Sequence, residues 1–279
     1  MTSDFQELLR IGSEAVDQAV SVVRKMAVGQ VTSKGDRDMV SALDLAVEDR
    51  VRSFLRRETP EIGFLGEEGG GERYHDAELT WALDPVDGTA NLVHGIPLCG
   101  ISLGLVEGQR SVMGIIDLPF LHQRFHALDG HGAYSGTTQL QASKVSSLDS
   151  AIVALGDYAV GEAAEERNRR RLAVTQLLAE RALRVRMLGS AAVDLTWAAA
   201  GQVDATIALS NHPWDMAAGV CIAREAGCTV MDASGAPHTV TSSATITAAP
   251  RLREAILRLL QDSQRLGNDD TLEQRWLRN

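Results

Sequence analysis

The sequence predicts a mixed α and β fold, arranged in two successive parts. Apolar residues recur every three or four positions between Phe5 and Met26, which is typical of an amphipathic helix. From Gly100 to Tyr134, short apolar runs are separated by glycine-containing turns, a pattern of consecutive β-hairpins. Beyond residue 147, strand-like and helix-like segments alternate, as in α/β proteins. We therefore expect an α+β part over residues 1–147 and an α/β part over residues 148–279.

The composition limits the classes of function that the chain can have. With 279 residues, of which 44% are hydrophobic, the chain can build a large core. Its formal net charge of −10 argues against a nucleic-acid partner, since such proteins carry a basic surface. No apolar run reaches the roughly 18 residues of a membrane span, and the first residues lack the pattern of a signal peptide. We interpret the protein as cytoplasmic, without a membrane partner.

The second predicted helix carries the first acid of interest. Ser41 is a suitable N-cap, and Asp44 lies three residues later, where an acid commonly completes a capping box. On the residues alone, Asp44 needs no other role. A short strand, Ile62-Gly63-Phe64-Leu65, then leads to Glu67, and Gly69 to Gly71 let the chain turn away.

The stretch from Trp81 to Asn91 has the most distinctive chemistry. An apolar strand ending at Leu83 is followed by Asp84-Pro85-Val86-Asp87-Gly88-Thr89. Pro85 keeps Asp84 extended, and Gly88 allows a sharp turn into a helix that Thr89 can cap. Two acids would then lie beside the free N–H groups of a helix N-terminus, which attract anions. A plain surface turn is the alternative, because Asp, Pro and Gly are common in turns.

The second part of the chain adds a further acid and another turn. The pattern predicts a strand over 152–155, a helix over 163–183, a strand over 185–188, a turn at Gly189, a helix over 190–200 and a strand over 205–209. Asp215 lies in the first turn of the next helix, where the helix dipole alone favours an acid. A last helix is expected over 252–260, followed by a polar tail, 262–279, that we expect to be flexible.

Taken together, five segments resemble the inositol monophosphatase family of magnesium-dependent, lithium-sensitive sugar phosphatases. They occur in the family's order and span most of the chain. The two most specific are Asp84-Pro85-Val86-Asp87-Gly88-Thr89 and Trp214-Asp215-Met216-Ala217-Ala218-Gly219; the others are residues 34–44, Gly66-Glu67-Glu68 and Gly189-Ser190-Ala191. The resemblance implies an αβαβα sandwich of alternating helix and sheet layers, with the active site in a cleft between the two parts. It also implies a homodimer.

The resemblance implies a role for each matching residue. Two to three Mg²⁺ ions would be held by Glu67, Asp84, the carbonyl of Val86, Asp87 and Asp215. The attacking water would be oriented by Glu67 and by Thr89, whose hydroxyl Asp44 would position. The phosphate and the rest of the substrate would contact Asp87, Gly88, Thr89, Gly189, Ser190, Ala191 and Asp215. An all-oxygen ligand set suits Mg²⁺, and divalent ions relieve the repulsion between clustered carboxylates.

The chemistry of phosphate monoesters supports a metal-dependent mechanism. Their spontaneous hydrolysis is so slow that enzymes accelerate it up to ~10²¹-fold. A general base supplies only about 10²- to 10⁴-fold, so charge stabilisation must account for most of the rest. Two divalent ions roughly 3.5–4 Å apart can stabilise both the attacking and the leaving oxygen.

The identity of the small phosphorylated substrate is less constrained. The family's inositol-contacting glutamate, seven residues before the Trp-Asp aspartate, is replaced here by Ala208. Inositol monophosphate is our first expectation. Histidinol phosphate, fructose 1,6-bisphosphate and 3′-phosphoadenosine 5′-phosphate are the alternatives within the family. A non-catalytic regulatory or binding protein on the same fold is the alternative from another class.

Overall fold

The computed structural model describes residues 2–26, 31–35, 38–72 and 77–267. Its helices are α1 (Thr2–Lys25), α2 (Ala42–Glu58), α3 (Thr89–Val93), α4 (Ala164–Arg181), α5 (Ala191–Ala199), α6 (Pro213–Glu225) and α7 (Arg253–Gly267). Its strands are β1 (Val31–Gly35), β2 (Asp38–Ser41), β3 (Gly63–Gly66), β4 (Gly70–Glu72), β5 (Leu79–Asp87), β6 (Gly100–Glu107), β7 (Arg110–Leu118), β8 (Gln123–Leu128), β9 (Ala133–Ser135), β10 (Thr138–Gln139), β11 (Ile152–Leu155), β12 (Arg184–Arg186), β13 (Ala205–Ala208), β14 (Thr229–Met231) and β15 (Thr245–Ala248).

The first part of the chain forms an eight-stranded sheet covered by two helices. The strand order is β10-β9-β8-β7-β6-β5-β3-β4, and β6 to β9 form the antiparallel series of hairpins that the sequence predicts between Gly100 and Tyr134. Helices α1 and α2 pack on each other and on one face of this sheet. Ile11, Val47, Trp81, Leu103 and Ile115 are buried in the core between them.

The second part adds a middle layer of helices, another sheet and an outer pair of helices. Helices α5 and α6 pack together against the other face of the large sheet and also contact the five-stranded sheet, whose order is β12-β11-β13-β15-β14. Helices α4 and α7 cover the outer face, where Val153, Leu177 and Ile256 are buried. The resulting order of helix, sheet, helix, sheet and helix layers confirms the expected αβαβα sandwich.

A pair of glycines lets α6 lie unusually close to the large sheet. Gly104 on β6 and Gly114 on β7 are paired across the strands. A Cβ atom on Gly104 would lie 2.7 Å from the Ala218 backbone nitrogen, and one on Gly114 would lie 2.2 Å from the Ala218 carbonyl oxygen. Only glycine fits at such distances. This close approach sets the depth at which α6 carries Asp215 toward the end of β5.

The structure corrects two predicted boundaries. Strand β5 does not end at Leu83 but continues through Pro85 to Asp87. Pro85 is tolerated because the pairing with β3 ends at Leu83 and the register with β6 is irregular between Asp84 and Asp87, so no ladder donor is needed there.

The expected flexible tail over 262–279 is wrong for its first six residues. These residues continue α7 as far as Gly267, because Ser263 is buried and Leu266 packs against the core. Their polar neighbours are the solvent face of an amphipathic helix. Residues 268–279 lie outside the described residues.

Three further findings concern the cysteines, membrane-spanning helices and the division into domains. Cys99, Cys221 and Cys228 are free and buried, and burial raises the pKa of each thiol to about 12. Within the described residues, no helix has both the length and the apolar character needed to cross a bilayer. The strands of the large sheet precede residue 147 and those of the smaller sheet follow it. The division into domains over 1–147 and 148–279 stays a prediction.

Candidate active site

Four acids from three separate parts of the fold line one cleft of about 500 Å³. Glu67 follows β3, Asp84 and Asp87 lie near the end of β5, and Asp215 lies in the first turn of α6. The parallel pairing of β3 with β5 brings Glu67 to Asp84, and the Glu67 amide extends it by donating to the Leu83 carbonyl oxygen at 3.2 Å. The sequence separates these acids by as many as 148 positions (215 − 67), and the sheet and α6 bring them together.

Gly88 forms the turn from β5 into α3. Its φ of +91° is in the left-handed region that favours glycine. A Cβ atom there would lie 3.0 Å from the Leu98 carbonyl oxygen and 3.1 Å from that of Gly189. Gly88, rather than Thr89, is therefore the N-cap residue of α3. The turn places Gly88, Thr89 and the following amides of α3 along the cleft.

The hydroxyl of Thr89 does not cap α3 and instead contacts a buried acid. It lies 2.8 Å from Asp44 Oδ1 and 3.0 Å from the Val86 carbonyl oxygen. Asp44 is fully buried, so it acts on the cleft only through Thr89. Its other oxygen accepts from the Ser41 amide at 3.1 Å and from the Ser41 hydroxyl. One carboxylate oxygen of Asp44 therefore completes the capping box, and the other accepts from Thr89, so both expected contacts are present.

Each of the three aspartates is anchored by one carboxylate oxygen. Asp84 Oδ1 accepts from the Val86 amide at 3.0 Å. Asp87 Oδ2 accepts from the Ser190 hydroxyl at 2.8 Å and from the Ala192 amide. Asp215 Oδ2 accepts from the His212 amide at 2.9 Å, because Asp215 is the third residue of α6. These contacts fix each side chain and leave its second oxygen for another partner.

Burial makes ionisation of these acids costly. It raises the pKa of Asp84 well above its usual range, and the charges of Asp87, Glu67, Asp215 and Asp44 raise it further. The pKa of Asp87 rises to about 6 through burial, although the Ala192 amide and the Ser190 hydroxyl oppose the change. That of Asp215 rises to about 7 for the same main reason, opposed by the His212 amide. A bound cation would remove this cost.

The oxygen donors of the cleft are of the kind that binds a hard divalent cation, although their side chains do not point to one common position. Anchored carboxylates with one further oxygen each, together with the second lone pair of the Val86 carbonyl, are the oxygen ligands that Mg²⁺ prefers. Within residues 2–26, 31–35, 38–72 and 77–267, no three His, Cys, Asp or Glu side chains form a ready-made metal site.

The turn at Gly189 forms the facing side of the cleft. Gly189, Ser190 and Ala191 all line it. The Asn91 side-chain amide donates to the Leu98 and Leu188 carbonyl oxygens, both at 2.7 Å, and so ties α3 to this turn. The Ser190 hydroxyl donates to Asp87 and accepts from the Val193 amide at 3.2 Å as the N-cap of α5. Its described contacts hold Asp87 in place, and its contact with substrate stays a prediction.

The sequence interpretation missed Glu48, which shapes the loop that carries Glu67. This buried carboxylate accepts from the Glu68 amide at 2.8 Å and from the Gly69 amide at 2.7 Å, and it pairs with Arg52. An acid in the buried stripe of α2, between Val47 and Val51, was the available signal.

Other lining residues were also missed. The cleft includes Asp157, Asp194, Ser210, His212 and Trp214. The rings of His212 and Trp214 stack with their centroids 4.7 Å apart. Asp194 had a sequence signal of its own, since it is an acid within the otherwise apolar start of α5.

Comparison with known proteins agrees with this geometry. The profile described as "Inositol monophosphatase family" matches residues 2–265. Inositol-1-monophosphatase ImpA of Mycolicibacterium smegmatis is 35% identical, covering 92% of each chain. Fructose-1,6-bisphosphatase/inositol-1-monophosphatase of Thermotoga maritima is 31% identical over 80% of this chain and 86% of its own. The crystal structure of extragenic suppressor protein suhB from Bartonella henselae superposes with a TM-score of 0.84 at 28% identity, covering 91% of this chain and 98% of that one.

Proposed function

The chain belongs to the inositol monophosphatase family and is therefore a phosphatase with metal-dependent catalysis, and we propose that it hydrolyses inositol 1-phosphate or a related sugar phosphate with Mg²⁺. The observation that carries the proposal is the shared cleft, which is lined by the carboxylates of Glu67, Asp84, Asp87 and Asp215 together with Thr89 and the first turn of α3. The relative named for both fructose-1,6-bisphosphatase and inositol-1-monophosphatase activity keeps fructose 1,6-bisphosphate as an alternative substrate.

We assign the ligand set as Glu67, Asp84, Asp87, Asp215 and the carbonyl of Val86. Two to three Mg²⁺ ions bound there would lower the pKa of a water and neutralise the charge that develops on the phosphoryl and leaving oxygens. The described lining residues include several carboxylates and neither Lys nor Arg. This supports bound cations as the source of positive charge in the cleft.

Thr89 and Glu67 are the proposed groups that orient the attacking water. Because the Thr89 proton is directed to Asp44 or to Val86, the lone pairs of Thr89 Oγ1 can accept a hydrogen bond from that water. Glu67 is a second acceptor in the same cleft. Asp44 is a positioning residue, since it touches Thr89 and not the cleft. The opening amides of α3 would hold phosphate oxygens.

The test is phosphate release from inositol 1-phosphate, histidinol phosphate, fructose 1,6-bisphosphate and 3′-phosphoadenosine 5′-phosphate, each with Mg²⁺ and with chelator. We expect release only with Mg²⁺ and the highest kcat/KM on inositol 1-phosphate. Thr89→Val removes one orienting group and should lower kcat by about 10²- to 10⁴-fold without changing the melting temperature by more than a few degrees. Absence of Mg²⁺-dependent release from all four compounds would refute the proposal.

A second candidate is a regulatory role on the same fold. One structural relative bears the name of an extragenic suppressor protein rather than that of an enzyme. The same assay separates the two, because a purely regulatory protein would release no phosphate. We also carry forward from the family resemblance a cytoplasmic homodimer; light scattering of the purified chain tests its mass.

A further inference from the structure

The cleft has a second group of lining residues, on elements that carry none of the proposed metal ligands. We call it the acidic wall, and it consists of Asp157 after β11, Asp194 on α5, and Ala208 and Ser210 at the end of β13. These elements belong to the second half of the chain, whereas β3 and β5 belong to the first. The wall therefore lines the same cleft as the carboxylates of β5 but is carried by the other half of the chain.

Asp194 lacks the partner that a buried acid normally has. Asp194 is only 7% exposed. Its Oδ1 atom is buried and has no hydrogen-bond partner among the described residues. Without a bound donor, burial raises its pKa well above the usual range, and the charges of Asp87 and Asp157 act in the same direction; a donor bound to the carboxylate would lower that pKa and favour the charged form. An unsatisfied buried carboxyl destabilises the folded state by roughly 1–3 kcal/mol or more. Asp194 therefore does not stabilise α5.

Within the described part of the chain, this wall itself contains no Lys or Arg. Among the described residues that line the cleft there are six carboxylates and neither Lys nor Arg. Arg171 lies behind the wall, but its Nη2 donates to the Ser210 hydroxyl at 2.7 Å and its Nε to the Asp157 carbonyl oxygen at 3.2 Å. Its guanidinium thus connects the two loops, and its described hydrogen bonds go to neither carboxylate of the wall.

We propose that Asp194, assisted by Asp157, binds the organic part of the substrate through hydrogen-bond donors, hydroxyl or ammonium groups, and disfavours a second phosphate there. This inference rests on the proposed phosphatase function and narrows its substrate class. Ala208 offers no acceptor at the position where the family's glutamate would stand, and the carboxyl of Asp194 supplies one from a different element. A substrate with two phosphates would bring negative charge against an unneutralised acidic wall.

The decisive variant is Asp194→Asn, which keeps the side-chain volume and removes the carboxylate. The substrates are inositol 1-phosphate, which offers hydroxyl donors, histidinol phosphate, which offers an ammonium group, and p-nitrophenyl phosphate, whose organic part has no donor. We expect kcat/KM to fall about 10- to 100-fold for at least one donor-bearing substrate, as for loss of a hydrogen bond to a charged group. For p-nitrophenyl phosphate it should change less than about 3-fold.

Two further measurements separate recognition from a structural role. The melting temperature of Asp194→Asn should equal or exceed that of the wild type, because the variant removes a buried carboxylate without a partner. Asp157→Asn, which changes a loop residue, should show the same dependence on substrate. Asp49→Asn, an exposed residue on α2, is the control for loss of one charge and should alter neither quantity.

The outcomes divide clearly. A loss confined to inositol 1-phosphate identifies hydroxyl recognition, and a loss confined to histidinol phosphate identifies ammonium recognition. Equal losses on all three substrates, no loss on any, or wild-type preference for fructose 1,6-bisphosphate would overturn the inference. If the wild type proves inactive, the phosphatase proposal fails instead. Calorimetry with myo-inositol and histidinol, in Mg²⁺ and inorganic phosphate, then tests the wall directly: weaker binding by Asp194→Asn supports it and unchanged binding contradicts it.

Discussion

The cost of ionising Asp87 leads to a quantitative prediction about stability. Burial raises the pKa of Asp87 from 3.8 to about 6. At about 1.36 kcal/mol per pH unit, this difference corresponds to about 3 kcal/mol that the metal-free fold loses when Asp87 is ionised. A raised carboxyl pKa destabilises the fold only above the unfolded value, so the loss begins near pH 4 and is complete above about pH 6.

Asp87→Asn should therefore stabilise the metal-free protein at neutral and higher pH. The amide of the variant mimics the protonated carboxyl and can still accept from the Ala192 amide. At pH 8 with chelator we expect the free energy of unfolding to rise by about 3 kcal/mol, or about 6 °C in melting temperature for a chain of this size. The gain should shrink toward zero at pH 4.

Magnesium should reverse the order of the two proteins. At a concentration of 1,000 times Kd, a ligand adds about 4.1 kcal/mol to the free energy of unfolding. This exceeds the difference of about 3 kcal/mol in chelator, and Asp87→Asn should gain much less of it than the wild type. Its Mg²⁺-dependent turnover should fall by at least about 10³-fold. Urea unfolding at pH 4, 6 and 8, with chelator or with MgCl₂, measures all of these effects, and Asp49→Asn is the control. A variant that is less stable than the wild type at pH 8 in chelator would refute the reasoning.

Three other changes test separate parts of the account. Glu48→Gln should weaken the contacts that hold the loop of Glu67 and lower kcat/KM by about 10-fold with little change in far-UV circular dichroism; unchanged kinetics would remove its positioning role. Gly114→Ala places a Cβ atom about where the Ala218 carbonyl lies, so it should cost about 3 kcal/mol of unfolding free energy, and a cost below 1 would contradict the close packing of α6. Burial lowers the pKa of His238 from 6.5 to about 4, so its contribution to the stability of the wild type should fall by about 3 kcal/mol as the pH falls between those values, opposite in sign to the contribution of Asp87. His238→Gln should lack that loss in the same urea titration, and a parallel pH profile would refute the assignment.

Much of the fold could be predicted because its helices and strands have sequence patterns that are visible within a short segment. The helical period of α1, the hairpins from β6 to β9 and the alternation after residue 147 each depend on neighbouring residues. The five layers followed from the family resemblance, not from periodicity. The errors occurred where contacts between distant residues decide where an element ends. Strand β5 passes through Pro85 because its pairing with β3 has already ended there, and α7 continues because Ser263 faces the core.

The candidate site was predictable only in part, for a similar reason. The acids of the Asp-Pro-Val-Asp-Gly-Thr segment form a local pattern, and Asp215 is recognisable beside Trp214. In contrast, Glu48 acts on a loop 20 positions away, and Asp194 matters because of what surrounds it in three dimensions. Neither burial nor the absence of a partner can be read from a single acid in a helical sequence.

The most direct test of the central claim is the location of bound metal. Crystals grown with MnCl₂ and inorganic phosphate would give anomalous difference density for each Mn²⁺ ion. We expect peaks between Glu67, Asp84, Asp87 and Asp215, with phosphate against the first turn of α3, and loss of at least one peak in Asp215→Asn. Well-ordered Mn²⁺ bound elsewhere, with this cleft empty of metal, would contradict it.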